Sequence, residues 1–217
     1  MIIPPLFPEN VISGFTEATD PPVEELLRKQ GIQRIYFPKQ EHTDRIIIVN
    51  TSDGRTVADG VITKEKGLAL AVKVADCLPV LIYDPETETI ASVHAGWRGT
   101  SKAILAKAIS LMKKLGSNPE DMKVAFGPSI KGCCYTVGPE VVEALKRLTP
   151  SDDFVLTDGG ALKVDLLKAN LLQTEQQGIL RENIWFSQDC TCCSKDRYYS
   201  YRRDRTKNRQ FGFIALR

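Results

Sequence analysis

The sequence predicts an α/β fold in a single domain spanning residues 1–217, with a mixed β-sheet and helices packed against it. Nearly continuous apolar runs at 68–74 and 79–83 indicate two strands that are buried on both faces. From Thr100 onward the apolar side chains instead recur at helical spacing, which indicates a long amphipathic helix. No internal repeat, low-complexity segment or linker rich in Pro, Gly or Ser divides these 217 residues, a length that fits one large domain.

Local patterns predict the other elements along the chain. A short apolar strand covers 11–15, and a helix opens on Pro21 and ends near Gly31. Thr100 is expected to cap the long helix at its start, and Gly116 to end it. Further strands are predicted at 35–37, 45–49, 89–93, 123–126, 184–186 and 211–216, and further helices from about Pro139 and Asp165.

Composition argues against several classes of function. Hydrophobic residues make up 42% of the chain and charged residues 26%, which is ordinary for a globular protein, and the net charge of +2 favours neither nucleic acid nor a membrane as partner. No run approaches the ~18 apolar residues of a membrane span, and the N-terminal residues do not resemble a secretory signal. The six cysteines are spaced poorly for a disulfide framework, so we expect a cytoplasmic protein. The sequence leaves the oligomeric state open.

Three potential metal ligands follow apolar runs. His42 and His94 are the only histidines, and Cys77 lies at the break between the runs at 68–74 and 79–83. Three His or Cys ligands at strand ends are typical of a catalytic zinc site, in which the fourth position binds water or substrate. The intervals of 35 and 17 residues match no short zinc-finger spacing, and a single His or Cys is more often structural. The prediction therefore depends on the neighbouring residues.

Two neighbours of these ligands are candidates for catalysis. Arg98 lies between Gly96 and Gly99 at a predicted turn from strand to helix, where backbone N–H groups, a helix dipole and a guanidinium all favour an anion such as phosphate. A tight turn and a surface ion pair are the structural alternatives. Asp76 precedes Cys77, and its carboxylate can orient a ligand, hold water or transfer a proton. An Asp that caps its own turn is the alternative for this residue.

Six motifs along the chain form a pattern. They are Lys39-Gln40-x-His42, Ala58-Asp59-Gly60-Val61-Ile62-Thr63, Ala75-Asp76-Cys77-Leu78-Pro79-Val80, His94-Ala95-Gly96-Trp97-Arg98-Gly99, Gly127-Pro128-Ser129-Ile130 with Cys134-Tyr135, and Ser200-Tyr201-Arg202-Arg203-Asp204. In this order they resemble the laccase-domain family, whose members were first described as multicopper polyphenol oxidases and later as purine nucleoside phosphorylases. The resemblance runs from about residue 10 to the C-terminus. It departs from the family after His42, where Thr43 replaces the more usual glycine.

The resemblance implies a zinc-dependent enzyme that acts on purine nucleosides. Such enzymes cleave adenosine, inosine and methylthioadenosine with phosphate, and they deaminate adenosine. The family's zinc ligands correspond to His42, Cys77 and His94. For this chain we expect Asp76 and Arg98 to be catalytic. We expect the phosphate or nucleoside to be bound by Lys39, Gln40 and Arg98.

Other functions are compatible with the same residues. A zinc amidase that edits peptidoglycan precursors would need the same three ligands. A copper polyphenol oxidase is disfavoured because two histidines cannot supply a mononuclear site and a trinuclear cluster. A non-enzymatic zinc or RNA-binding module would close the metal with a fourth ligand such as Cys133.

The C-terminal third contains two further features whose role is open. Cys190, Cys192 and Cys193 can join Cys133 and Cys134 in a second metal site, but three cysteines within four residues do not all reach one tetrahedral ion easily. Buried thiols are the expected alternative. The segment 197–209 is rich in arginine and tyrosine, as in RNA-binding proteins. Acidic residues interrupt it, however, so we expect ion-paired structure there and no nucleic-acid partner.

Overall fold

Twelve strands and six helices make up the structure, a computed structural model that describes all of residues 1–217. The strands are β1 (Val11–Phe15), β2 (Arg34–Tyr36), β3 (Ile46–Ile48), β4 (Gly60–Thr63), β5 (Leu68–Val74), β6 (Leu78–Asp84), β7 (Thr89–Ala95), β8 (Lys123–Phe126), β9 (Val155–Asp158), β10 (Ala161–Val164), β11 (Ile184–Phe186) and β12 (Gln210–Leu216). The helices are α1 (Val23–Lys29), α2 (Trp97–Thr100), α3 (Ile104–Lys114), α4 (Pro139–Lys146), α5 (Leu166–Glu175) and α6 (Tyr201–Asp204), and a 3-10 turn covers Arg181–Asn183.

The strands form two large sheets and one hairpin. The four-stranded sheet has the order β1-β12-β5-β2, and the six-stranded sheet has the order β11-β8-β6-β7-β4-β3. Strand β2 is parallel to β5, β3 to β4 and β11 to β8, while the other pairs are antiparallel. The predicted α/β fold with mixed pairing is confirmed, although two large sheets replace the single sheet that was expected.

The two sheets pack face to face, and helices cover their outer faces. Leu70 and Ile214 of the four-stranded sheet share a buried cluster with Val61 and Leu81 of the six-stranded sheet. Helix α1 packs on the far side of the four-stranded sheet, and α3 and α5 pack on the far side of the six-stranded one. The molecule is therefore layered as helix, sheet, sheet and helix.

This layering explains the continuous apolar runs in the sequence. In β5, Leu68 and Leu70 face the other sheet, whereas Ala69 and Ala71 face α1. Strand β6 has the same property, because its alternate residues face either α3 or the other sheet. Both faces of each of these strands pack against apolar residues, so the sequence shows no alternation of polar and apolar positions.

The predicted start of the long helix at Thr100 is wrong. Thr100 ends the one-turn helix α2, and Ala103 then adopts a left-handed backbone with φ +55° before α3 begins at Ile104. Thr100 is buried against α5, where its hydroxyl accepts a hydrogen bond from Asn170 and its carbonyl accepts one from Gln173. These tertiary bonds replace the capping role. The predicted end is confirmed, since Gly116 has φ +101° just after the helix.

Six elements were not predicted. They are strands β4, β9 and β10, the one-turn helix α2, the 3-10 turn and helix α6. Strand β7 is also two residues longer than expected, because His94 and Ala95 pair with Pro79 and Leu78 of β6. None of the helices combines the length and the apolar character needed to cross a membrane.

Candidate metal centre and the adjacent cavity

His42, Cys77 and His94 lie together at one end of the six-stranded sheet. Antiparallel pairing of β6 with β7 sets His94 opposite Pro79, so the turn that contains Cys77 reaches the same place. His42 comes from the loop between β2 and β3. The ligand atoms of the three side chains all lie within 4.8 Å of one another, and Cys77 Sγ is 3.9 Å from His42 Nε2.

The donor set fits a zinc ion in both chemistry and spacing. Bond lengths of about 2.05 Å to nitrogen and about 2.3 Å to sulfur place two tetrahedral ligand atoms about 3.6 Å apart. The group contains three protein ligands, which is the number that catalytic zinc sites use. Gly96 closes the group on one side. A Cβ atom at this position would lie 3.0 Å from Cys77 Sγ and 3.3 Å from His42 Cδ2, so a larger residue would crowd the ligands.

Asp59 contacts both histidines, His94 through its ring and His42 through its backbone. Its carboxylate is fully buried, and its Oδ1 atom lies 2.7 Å from Nδ1 of His94 and accepts the backbone N–H of His42. The other oxygen accepts hydrogen bonds from the backbone N–H and the hydroxyl of Thr43. A carboxylate on Nδ1 fixes the imidazole tautomer and leaves Nε2 for a metal. The sequence motif contained Asp59, but its role was not predicted.

The electrostatics of the three residues favour a thiolate. Burial would raise the pKa of Cys77, but the His94 and His42 imidazoles outweigh it and lower that pKa to about 6. Burial would lower the pKa of His94, but Cys77 and Asp59 raise it to about 9. Burial would likewise raise the pKa of Asp59, but hydrogen bonds from His94 and Thr43 lower it to about 2. Thiolate is the form of cysteine that binds metal.

A cavity of about 700 Å³ opens beside the three ligands. All seven predicted site residues line it, including Lys39, Gln40, Asp76 and Arg98. The lining has a strong positive bias, because it contains six cationic side chains and Asp76 as the sole carboxylate. The cations are Lys39, Arg55, Lys73, Arg98, Arg202 and Arg209. Phe37, Trp97, Tyr135 and Tyr201 supply aromatic surface.

Gln40 is engaged by the main chain of β5. Its side-chain nitrogen donates to the Lys73 carbonyl at 2.9 Å, and its side-chain oxygen accepts the Lys73 N–H at 2.8 Å. Both polar atoms thus extend the β5 edge and hold the loop that leads to His42. Lys39 is exposed at the cavity and pairs with Glu41 at 2.6 Å.

Asp76 binds two segments that are distant in sequence. Its carboxylate accepts the hydroxyl of Thr191 at 2.7 Å and the backbone N–H of Arg202 at 2.6 Å. Its backbone has φ +87°, a conformation that Asp and Asn adopt more readily than other non-glycine residues. Asp76 does not cap its own turn. It joins the turn that contains Cys77 to the C-terminal wall of the cavity.

Arg98 faces the cavity from α2. Its guanidinium lies 4.5 Å from the centre of the Trp97 ring, and the side chain is exposed. The long-helix dipole that was expected behind it is absent, because α2 has one turn and α3 begins at Ile104. The expected contribution of a long helix dipole to anion binding is therefore missing here.

Four of the cations were not predicted. Arg202 and Arg209 belong to the arginine-rich segment that was expected to be ion-paired, and Arg55 and Lys73 lie outside the sequence motifs. Arg202 lies in one of the sequence motifs, and that motif was the available signal. Its guanidinium packs 5.2 Å from the Tyr135 ring centre and donates to the Thr136 carbonyl.

Comparison with known proteins gives consistent matches. The chain is 35% identical to "Purine nucleoside phosphorylase" of Aquifex aeolicus, over 86% of this chain and 84% of that one. It is 31% identical to "Adenosine deaminase RL5" of an unknown prokaryotic organism, over 78% and 70% of the two chains. The crystal structure of YlmD from Geobacillus stearothermophilus superposes with a TM-score of 0.89 at 29% identity, covering 98% of this chain and 94% of that one.

A family model described as "Multi-copper polyphenol oxidoreductase laccase" matches residues 19–217. This is the laccase-domain resemblance that the six sequence motifs indicated. The protein thus belongs to the laccase-domain family, several of whose members are named purine nucleoside phosphorylases.

Proposed function

We propose that this protein is a zinc-dependent purine nucleoside phosphorylase that also deaminates adenosine. One observation carries the proposal. The group of His42, Cys77 and His94 lines the wall of a cavity whose charged lining has six cations and one carboxylate. A metal-activated site with this surplus of positive charge suits a reaction in which phosphate is a substrate.

The cations support phosphate binding beside the metal ligands. Arg98 presents a planar fork of donors that matches phosphate oxygens, and its stacking on Trp97 restricts the guanidinium without using its N–H groups. Lys39 is paired only with the exposed Glu41, a pair that contributes little and that phosphate can replace. We assign Arg98 and Lys39 to phosphate. Gln40 positions the loop of Lys39 through Lys73.

The aromatic lining supports a nucleoside as the second substrate. The rings of Trp97 and Tyr135 lie at the cavity together with the guanidinium groups that stack on them. Planar surfaces of this kind bind a purine by stacking, and they do so without regard to its exact substituents. Burial raises the pKa of Tyr135 to about 12, so the phenol remains a hydrogen-bond donor at neutral pH.

We assign a separate role in the reactions to each group of residues at the cavity. A zinc ion bound by His42, Cys77 and His94 would supply Lewis-acid activation of a substrate or water oxygen. Asp59 fixes the orientation of the His94 ring for that purpose and holds the backbone at His42. Arg98 and Lys39 hold phosphate against the sugar and stabilise the charge that it carries. We assign proton transfer during deamination to Asp76, the sole carboxylate at the cavity.

The alternatives receive less support. Copper polyphenol oxidation needs more histidine ligands than the two in this chain, both of which belong to the same group. A closed zinc module would need a fourth ligand such as Cys133, but that residue belongs to a separate cysteine group. An enzyme that only deaminates adenosine is a further alternative, and the relative named adenosine deaminase supports it.

The experiment is metal analysis together with product analysis on one purified sample. With adenosine and phosphate we expect adenine and ribose 1-phosphate together with inosine and ammonia, and without phosphate we expect only inosine and ammonia. Chelation of the metal should abolish both reactions, and added zinc should restore them. Adenine release that does not depend on phosphate, copper-dependent oxidation of phenols, or hydrolysis of peptidoglycan precursor amides in place of these reactions would overturn the proposal.

A further inference from the structure

A second group of four cysteines lies outside the cavity. Cys133 and Cys134 follow β8, and Cys190 and Cys193 follow β11. Strands β8 and β11 are parallel neighbours, so their carboxyl ends reach the same edge of the sheet. A bridge between Ser129 and Cys190 continues the pairing up to the cysteines. Topology therefore brings the two cysteine pairs together across nearly sixty residues of sequence.

The four sulfur atoms have the spacing of a tetrahedral metal site. They all lie within 4.8 Å of one another. The Sγ–Sγ distance is 3.2 Å from Cys134 to Cys193, 3.5 Å from Cys133 to Cys193 and 3.8 Å from Cys133 to Cys134. Zinc–sulfur bonds of about 2.3 Å place tetrahedral ligands about 3.8 Å apart. Disulfides would pair the sulfurs in twos, whereas this group converges as four.

We propose that Cys133, Cys134, Cys190 and Cys193 bind a second zinc ion in a closed structural site. Four thiolates complete the tetrahedron, and none of these residues lines the cavity, so this ion would have no position for a substrate. The proposal does not depend on the enzymatic activity proposed above.

The spacing of the three C-terminal cysteines argued against a shared metal site, but Cys192 does not belong to the group. Three cysteines within four residues cannot all reach one ion, but the structure excludes Cys192 from the group and retains Cys190 and Cys193. These two have the C-x-x-C spacing that zinc sites commonly use. The remaining pair, Cys133 and Cys134, is adjacent in sequence, and both sulfurs nevertheless point to the same centre.

Backbone and side-chain donors lie next to the cysteine group. The backbone N–H of Lys131 donates to Cys190 Sγ at 3.4 Å, which stabilises charge on that sulfur. The Lys163 ammonium donates to the Cys133 carbonyl at 3.2 Å, and the Lys131 ammonium donates to the Ser187 carbonyl at 3.1 Å. Partners that surround the ligands in this way are typical of a built metal site.

This ion would brace the wall of the cavity. Thr191 lies between the ligand Cys190 and the non-ligand Cys192, and its hydroxyl donates to Asp76. On the other segment, Tyr135 follows the ligand Cys134 and lines the cavity. A metal that joins the two segments would therefore hold both the partner of Asp76 and an aromatic surface of the cavity at fixed positions.

The experiment is a metal count with variants at each group. Protein purified under reducing conditions should hold two zinc ions per chain by elemental mass spectrometry. The pair Cys190→Ser and Cys193→Ser should lower the count to one, and the pair His42→Ala and His94→Ala should also lower it to one. Cys192→Ser is the matched control, because it removes a thiol from the same turn and should leave two ions.

Cobalt substitution gives a readout that does not require the variants to fold. Thiolate-to-cobalt charge-transfer absorption grows with the number of thiolates, so the tetrathiolate site should absorb about four times as strongly as the site with one cysteine. One metal per chain in the wild type, with a spectrum of a single thiolate, would overturn the proposal. A zinc loss caused equally by Cys192→Ser, or a Cys133–Cys193 disulfide in the purified protein, would also overturn it.

Discussion

The Nδ1 atom of His94 lies 2.7 Å from Oδ1 of Asp59, and this oxygen also accepts the backbone N–H of His42 at 3.1 Å. One buried carboxylate therefore orients the His94 ring and also holds the backbone at His42. The third ligand, Cys77, is held by the turn between two strands of different sheets. The geometry of the metal group thus depends on both sheets and on a residue that would not touch the metal.

Asp59→Asn is expected to weaken zinc binding at the His42–Cys77–His94 group by about 10- to 100-fold, the usual effect of losing a carboxylate partner of a ligand. The amide offers fewer acceptors for the groups that Asp59 now satisfies, so about 1–3 kcal/mol of folding stability should be lost as well. Competition with a chromophoric chelator measures the affinity. Asp44→Asn is the matched control, since Asp44 pairs with the surface residues Lys102 and Lys107. Equal affinities in the two variants would contradict the orienting role.

Asp76→Asn should retain zinc and fold but lose about 10²- to 10⁴-fold in the deamination rate, if Asp76 transfers a proton. Asparagine is the informative substitution because its amide can still accept from the Arg202 N–H and donate to the Thr191 hydroxyl. It also tolerates the φ of +87°. Asp76→Ala removes both contacts and serves as the structural comparison. Normal turnover by the Asn variant would show that Asp76 has only the structural role of joining two segments.

Arg98→Ala should raise the phosphate concentration needed for half-maximal adenine release, while inosine formation falls much less because deamination uses no phosphate. The loss of one charge-assisted contact corresponds to about 1.5–3 kcal/mol, or roughly 10- to 100-fold. Both products can be measured by chromatography on one sample. Arg181→Ala is the control, because Arg181 also lies over an aromatic ring, that of Phe186, but is remote from the cavity lining. An equal loss of both reactions would mean that Arg98 supports the fold or the nucleoside.

Gly96→Ala should impair zinc binding without unfolding the protein. The backbone at Gly96 has φ −76°, which alanine adopts without strain. The added methyl group would instead press on Cys77 Sγ at 3.0 Å and on the His42 ring at 3.3 Å. Zinc content and the thermal unfolding midpoint of the metal-free protein separate the two effects. An unchanged zinc content would show that the ligands relax around the methyl group.

Sequence reasoning identified the residues that lie at breaks between strands, because those breaks are visible as changes in local pattern. His42, Cys77 and His94 belong to this class, and so do Asp76 and Arg98. Asp59 does not, because its function depends on partners 16 to 35 residues away. The sequence pattern also could not show the number of sheets. A strand with apolar neighbours on both faces has the same pattern whether helices or a second sheet cover it.

Thr100 shows how tertiary contacts override a local signal. A threonine before an amphipathic run is a good helix cap, yet its hydroxyl here binds Asn170 of α5 and the long helix begins later. The cysteine cluster shows the reverse case. Spacing alone counted Cys192 among the possible ligands, and only the fold distinguishes it from Cys190 and Cys193.

The position of β12 has a consequence for biosynthesis. This strand comes last in the chain but lies between β1 and β5 in its sheet. Ribosomes make the N-terminal strand first, so β1 and β5 must wait for residues 210–216 before their shared sheet can close. Contacts between such distant segments form slowly. A nascent chain released before β12 is made would expose the unpaired edges of β1 and β5, which are sites for aggregation or chaperone capture.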